Sequence, residues 1–290
     1  MMGCRDMRIQ ILGSAAAEAV PALWCECECC EYARKHGGKD IRRRCSYWVD
    51  DDTLVDFGPD ANWQSVEFGI DLTRIKRIIF THSHEDHLDP VELSWRAQYF
   101  SRVTKMIKLF GSRRVHERML SAPLLSGFTF DRYNEVAEKL HFEPVELTPG
   151  SETLDGDLEI IAVPAVHDPK EDCLNYILRR GGRSILIAND TGWWSEAGWD
   201  FVSRYRVDAA IIEATFALSE GNLDYDHGHL GAHAAIRFRD ELVRRGTLPV
   251  GAKVVVNHFS HNGNPLHHKM EAYFAGSGIE VGYDGKVIEL

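Results

Sequence analysis

The 290-residue chain sets 33 Lys and Arg against 44 Asp and Glu, a formal charge of −11, with 44% hydrophobic and 27% charged residues. That mix can bury a substantial core and excludes a disordered polymer, while the acidic balance argues against a protein that grips nucleic acid by neutralising phosphates. No apolar stretch nears the roughly 18 residues of a membrane span, and Met1 to Met7 lack the apolar run of a secretory leader, so a cytoplasmic protein with a small-molecule substrate and no membrane partner is expected.

In chain order, short Ile/Val-rich runs at residues 8–12, 53–57, 76–80, 158–163, 184–188, 208–212 and 253–256, bounded by turn residues, predict strands. Helical spacing at 90–101, 113–120 and 230–245 predicts helices between them, the last closed by Gly246 as a C-cap. Turn signals at Asp50 to Asp52 and Tyr283 to Gly285 predict hairpins, hence sheets that are partly antiparallel. With no repeat and no Pro/Gly/Ser-rich linker, residues 1–290 read as one α+β domain, two sheets with helices outside.

The chemistry concentrates after the third of these runs, in Thr81-His82-Ser83-His84-Glu85-Asp86-His87. A turn at a strand end lets several side chains point into one cleft, and three imidazoles with a carboxylate suit zinc, iron or manganese. His82 and His84 alternate and can share a direction, whereas adjacent Asp86 and His87 diverge, so the loop can feed two neighbouring ions. His167, Asp190 and His258 each follow a later apolar run and offer further donors. Upstream, Cys25, Cys27, Cys29 and Cys30 crowd into six residues, where geometry discourages mutual disulfides and a reducing compartment favours metal.

His82 to His87 match an H-x-H-x-D-H motif, and with His167, Asp190 and His258 following in order the chain resembles the metallo-β-lactamase superfamily over essentially its whole length. The resemblance implies a four-layer αββα sandwich and two divalent ions. His82, His84 and His167 would hold one, Asp86, His87 and His258 the other, and Asp190 would bridge them. Two cations roughly 3.5–4 Å apart bring the pKa of water toward neutrality and polarise the bond under attack, which makes hydrolysis the expected chemistry.

The cysteine run narrows the resemblance to the PhnP-like cyclic phosphodiesterases, in which a C-x-C-x-x-C and a histidine just after the last active-site histidine hold a structural zinc. Here those positions are Cys25, Cys27, Cys30 and His261, with Cys29 as a rival ligand. PqqB-like proteins share the opening Leu12-Gly13-Ser14. The phosphodiesterase subgroup also implies a histidine before the helix at 230–245 that meets substrate phosphate or protonates the leaving oxygen. His229 is the preferred match and His227 the alternative, so His229 and Asp86 are the catalytic candidates.

Trp193 and Trp194, just past Asp190, can wall the cleft against a ring or sugar, and Arg42-Arg43-Arg44 and Arg179-Arg180 read as solvated faces. The expected protein is therefore a dinuclear zinc, manganese or iron hydrolase of a small or cyclic phosphodiester, with one further structural zinc. Lactone or thioester hydrolysis and PqqB-like oxidation at iron are the alternatives. Transfer RNA is not an expected partner, since no Gly/Pro-rich basic arm is present, and a homodimer is compatible with the sequence.

Overall fold

The computed structural model describes residues 6–290, so the leader reading, which rests partly on residues 1–5, falls partly outside the described residues. Among those described, no helix is long and apolar enough to cross a membrane.

The first half supplies β1 (Arg8–Gly13), β2 (Ser46–Val49), β3 (Thr53–Val55), β4 (Arg77–Ile79), β5 (Ile107–Gly111) and β6 (Phe142–Glu146). A second sheet collects β7 (Glu152–Asp155), β8 (Leu158–Pro164), β9 (Leu174–Arg180), β10 (Arg183–Ala188), β11 (Ala209–Glu213), β12 (Lys253–Asn257) and β13 (Ile279–Val281). The last strand, β14 (Val287–Glu289), returns to the first sheet beside β1. Strand order is β14-β1-β2-β3-β4-β5-β6 and β13-β12-β11-β10-β9-β8-β7. Each sheet is mixed: β3 to β6 run parallel in the first and β10 to β13 in the second, the rest antiparallel.

Helices α1 (Glu28–His36), α2 (Ala61–Glu67), α3 (Pro90–Ser94), α4 (Arg113–Met119) and α5 (Tyr133–Lys139) precede α6 (Glu196–Val202), α7 (Ala232–Arg244) and α8 (His267–Phe274). Side chains of α3 to α5 such as Leu93, Val115, Met119 and Val136 pack with Ile78, Leu109 and Phe142 outside the first sheet. Trp199, Phe238 and Met270 from α6 to α8 do the same with Leu186, Ile212 and Val254 of the second. Between the sheets Ile9, Tyr47, Val55 and Ile79 meet Ile160, Tyr176, Ile185 and Ile211. The four layers are therefore αββα. A strand buried on both faces must be apolar throughout, and β10 shows why its run is unbroken: Ile185 and Ile187 face the inner core, Leu186 and Ala188 the helical one.

Three expectations need correction. Asp50 to Asp52 do turn the antiparallel β2/β3 hairpin, but Tyr283 to Gly285 link β13 to β14 across the two sheets. The reason is that Asp284 is held by Ser14 Oγ and the Arg43 N–H, and Gly285 N–H by Ile11 O, all in the first half of the chain. The helix expected over 90–101 stops at Ser94, because the Arg96 guanidinium turns inward to the carbonyls of Leu140, Lys105 and His141. Finally, Arg42 and Arg180 are not solvated. Arg42 is 1% exposed and donates to Ser14 Oγ and to the carbonyls of Gly282 and Pro265, while Arg180 donates to Asp50 and Asp52 across the sheets.

Candidate active site

The loop after β4 is shaped by what precedes and flanks it. Thr81 N–H and Oγ1 both donate to Asp56, which directly follows β3, and the N–H groups of His87 and Leu88 close a turn on His84 O. Gly58 passes so near that a β-carbon there would lie 2.0 Å from Asp86 O. His82 and His87 are buried and His84 is a third exposed.

This loop meets donors from the second sheet. Ligand atoms of His82, His84 and His167 lie within 4.8 Å of one another, and so do those of Asp86, His87 and His258. His84 Nδ1 and His167 Nε2 are 3.3 Å apart. His87 Nε2 is 3.1 Å from Asp86 Oδ2 and 2.8 Å from Asp190 Oδ2, and His258 Nε2 is 3.1 Å from the same Asp190 oxygen. Asp190 Oδ1 stands 4.0 Å from His167 Nε2, so each of its oxygens faces a different group.

Whether this set suits cations is decided by its unpaired atoms. The Nε2 atoms of His82, His87 and His258 and Asp190 Oδ2 are buried and make no hydrogen bond, despite their short separations. Such orphans cost free energy unless their lone pairs meet at a shared ion. Burial, with His87 nearby, holds the His82 imidazole well below its usual pKa, in the neutral form a metal needs. Burial alone would raise the Asp190 carboxyl, but the facing His258 and His87 rings hold it well below the ordinary range. The residues present fit divalent cations.

Each ring's remaining nitrogen is also held, which fixes its orientation. Asp56 Oδ2 is 2.7 Å from His87 Nδ1, Thr215 Oγ1 is 2.9 Å from His258 Nδ1, Thr81 Oγ1 is 3.0 Å from His82 Nδ1, Gly228 O is 3.2 Å from His167 Nδ1, and Asp168 is 3.3 Å from His84 Nε2. Asp56, Asp168, Glu213 and Thr215 were not anticipated from sequence. The usable signal was that Asp56 follows and Glu213 ends an apolar strand, as the donors do.

A match to the beta-lactamase superfamily domain spans residues 48–251. The chain belongs to this superfamily. It is a metal-dependent hydrolase of the metallo-β-lactamase fold. Among solved structures, a diphosphatase of the PhnP family is 20% identical, with 99% of this chain and 98% of that one covered at a TM-score of 0.70. Zinc-bound PqqB from Methylobacterium extorquens is 17% identical, with 98% and 100% covered and a TM-score of 0.70. At these identities the likeness is one of fold. An octanoyltransferase of Porphyromonas gingivalis is 34% identical over 86 residues, 28% of this chain, and the match spans 16% of that protein's length.

On this superfamily scaffold the remaining candidates separate cleanly. His229 joins the donor cluster, its ring 4.6 Å from that of His167 and its Nδ1 2.9 Å from Glu213 Oε1. Burial would lower its pKa, but Glu213 raises it to about 9. Glu213 is itself fully buried and accepts from the N–H groups of Thr191, Thr215 and Leu230. The His227 side chain is 87% exposed and meets its neighbours Asp226 and Tyr225. Trp194 is a correction: it is 2% exposed, packs on Trp199 and Phe238, and donates to Asn175 Oδ1. Trp193 packs on the same two rings and under the Arg237 guanidinium, half-buried against the helical core in which Trp194 sits.

A second cluster gathers Cys25, Cys27, Cys30 and His261 within 4.8 Å. His261 Nδ1 lies 3.5 Å from Cys25 Sγ and 3.7 Å from Cys27 Sγ, and the Cys27 N–H draws the Cys25 thiol pKa down. Cys29 packs instead in an apolar cluster with Ala15, Val20, Ala33 and Leu266, and burial pushes its thiol and that of Cys30 alike up to about 12, so the geometry and not the thiol acidity favours Cys30.

Proposed function

We propose that the protein is a dinuclear phosphodiesterase acting on a small or cyclic phosphodiester. The observation that carries this reading is the His229–Glu213 pair beside the donor cluster, since a phosphodiester leaves as an alkoxide that must be protonated. His82, His84 and His167 would hold one cation and Asp86, His87 and His258 the other, with Asp190 between. When bound, such ions supply Lewis acidity and acidify water at neutral pH.

The chain's own residues do the rest. Asp86, whose Oδ2 lies 3.1 Å from His87 Nε2, would orient the attacking water. Glu213 fixes the His229 ring through Nδ1 and keeps it protonated, leaving Nε2 to deliver a proton to the departing oxygen. The likeness to a PhnP-family diphosphatase agrees with phosphoryl chemistry. In the same reading Cys25, Cys27, Cys30 and His261 hold a structural zinc, and the six described cysteines, all unpaired, suit a reducing, cytoplasmic setting.

The test is a parallel assay of the manganese-, zinc- and iron-loaded enzyme on bis(p-nitrophenyl) phosphate, a 2′,3′-cyclic nucleotide, a lactone and a thioester. Turnover of the phosphodiesters alone is expected. Turnover of the lactone or thioester with the phosphodiesters untouched would overturn the assignment.

A further inference from the structure

Cys45, Tyr47, Asn189 and Asn257 form a fully buried polar cluster between the sheets, beneath the strand ends that carry Asp190 and His258. We infer that this cluster is a positioning device for the active site: it locks the turns at Asp190 and His258 so that both side chains bear on the same cations. The inference rests on reading those two residues as metal donors.

Asp190 and His258 both adopt left-handed backbone, with φ of 43° and 60°. Side-chain-bearing residues adopt this backbone rarely and persist there only where the surroundings impose it. Each is preceded by a buried asparagine, and both asparagines end at one tyrosine from the opposite sheet. Tyr47 donates its hydroxyl to Asn189 Oδ1 at 2.7 Å and accepts from Asn257 Nδ2 at 3.0 Å. Cys45 Sγ accepts from Asn189 Nδ2 at 3.0 Å and from Asn257 Nδ2 at 3.4 Å, and its S–H donates to the Tyr47 hydroxyl at 3.2 Å.

The main chain is tied as well. Asn189 O accepts from Asn175 Nδ2, whose own oxygen is held by Trp194 Nε1, and Asn257 O accepts from Ala214 N–H. Gly282 seals the far side, where a β-carbon would lie 2.4 Å from Asn257 Oδ1. Just before each left-handed residue, then, both the side-chain amide and the peptide carbonyl are immobilised. None of the four cluster residues stands among the donors, so their influence on the site runs through the backbone.

The experiment challenges the zinc-loaded, full-length protein with graded chelator and measures retained metal, the cysteine site serving as internal reference. The variants are Tyr47→Phe, Cys45→Ala and Cys45→Ser. Tyr133→Phe is the control, because it also removes a buried hydroxyl, 3.2 Å from His116 Nδ1, outside this cluster. Expected are a 10- to 100-fold loss of affinity at the His/Asp donors in Tyr47→Phe and Cys45→Ala, recovery in Cys45→Ser, and wild-type affinity in Tyr133→Phe. Should Tyr47→Phe fail to fold, the Cys45 pair decides. Wild-type affinity in Tyr47→Phe and Cys45→Ala, whatever happens to their stability, overturns the positioning role alone. A wild-type protein that holds no metal beyond what Asp190→Ala holds overturns the metal reading and the inference with it.

Discussion

Glu213 is a carboxylate with no access to solvent, and its five hydrogen-bond donors leave His229 as the one ring it can charge. Glu213→Gln keeps the shape and removes the charge, so kcat on a phosphodiester should fall about 100-fold with metal content unchanged, general-acid contributions being of this size. Loss of metal together with activity would instead make Glu213 a scaffold residue. Asp284 shows the opposite balance. Burial pushes its carboxyl up to about 6 despite donors from Ser14 and Arg43. The folded state therefore binds the extra proton between the ordinary carboxyl pKa and about 6, and stability falls as pH rises through that window. Relative to Asp284→Asn, the wild type should lose on the order of 2–3 kcal/mol between pH 4 and pH 7, read by reversible denaturation. At this scale the seven donors were legible because they are either packed into one short loop or follow apolar runs. Glu213 and Asp56 were not, since a lone carboxylate at a strand end looks like any turn residue until its partners are seen. Trp194 misled for a related reason: adjacency to Asp190 in sequence says nothing about which side of the strand it packs on.

Parallel strands give the sandwich two unlike poles. Where β3, β4 and β10 finish, the chain turns into Asp56, the histidine loop and Asp190; where β3 and β4 begin, charges clamp the sheets together. Arg77 donates to Asp52 and Asp155, and Arg180 to Asp50 and Asp52, both guanidiniums nearly buried. Removing Asp52 leaves two buried cations short of a partner, which costs about 3 kcal/mol. Asp52→Ala should lower the thermal midpoint clearly while the folded fraction keeps its kcat, and a matching loss of kcat would show the poles to be coupled. The inner strands β10 to β12 were legible because burial on both faces makes them apolar throughout. β6 and β7 at the sheet edges mix polar and apolar residues, and the three-residue β13 and β14 are too short for a pattern. The pairing of β14 is set by β1, at the other end of the chain.

Across the whole molecule, the turn that carries Cys25 and Cys27 just before α1 is tied to the segment after β12 by His261, and Ala15 pairs with Phe259 alongside. Purified without chelator, the protein should carry about three metal equivalents, and Cys27→Ser should lose one, with a lower thermal midpoint and intact chemistry. Loss of every equivalent in that variant would mean the two centres are not separate. The donors of the larger centre also straddle the seam between the sheets: His82, His84, Asp86 and His87 come from the first, and His167, Asp190 and His258 from the second. Neither half alone can chelate with more than part of the set. On the proposed reading, a complete coordination shell would form only with the two sheets docked, so the ions would act as a latch across the seam.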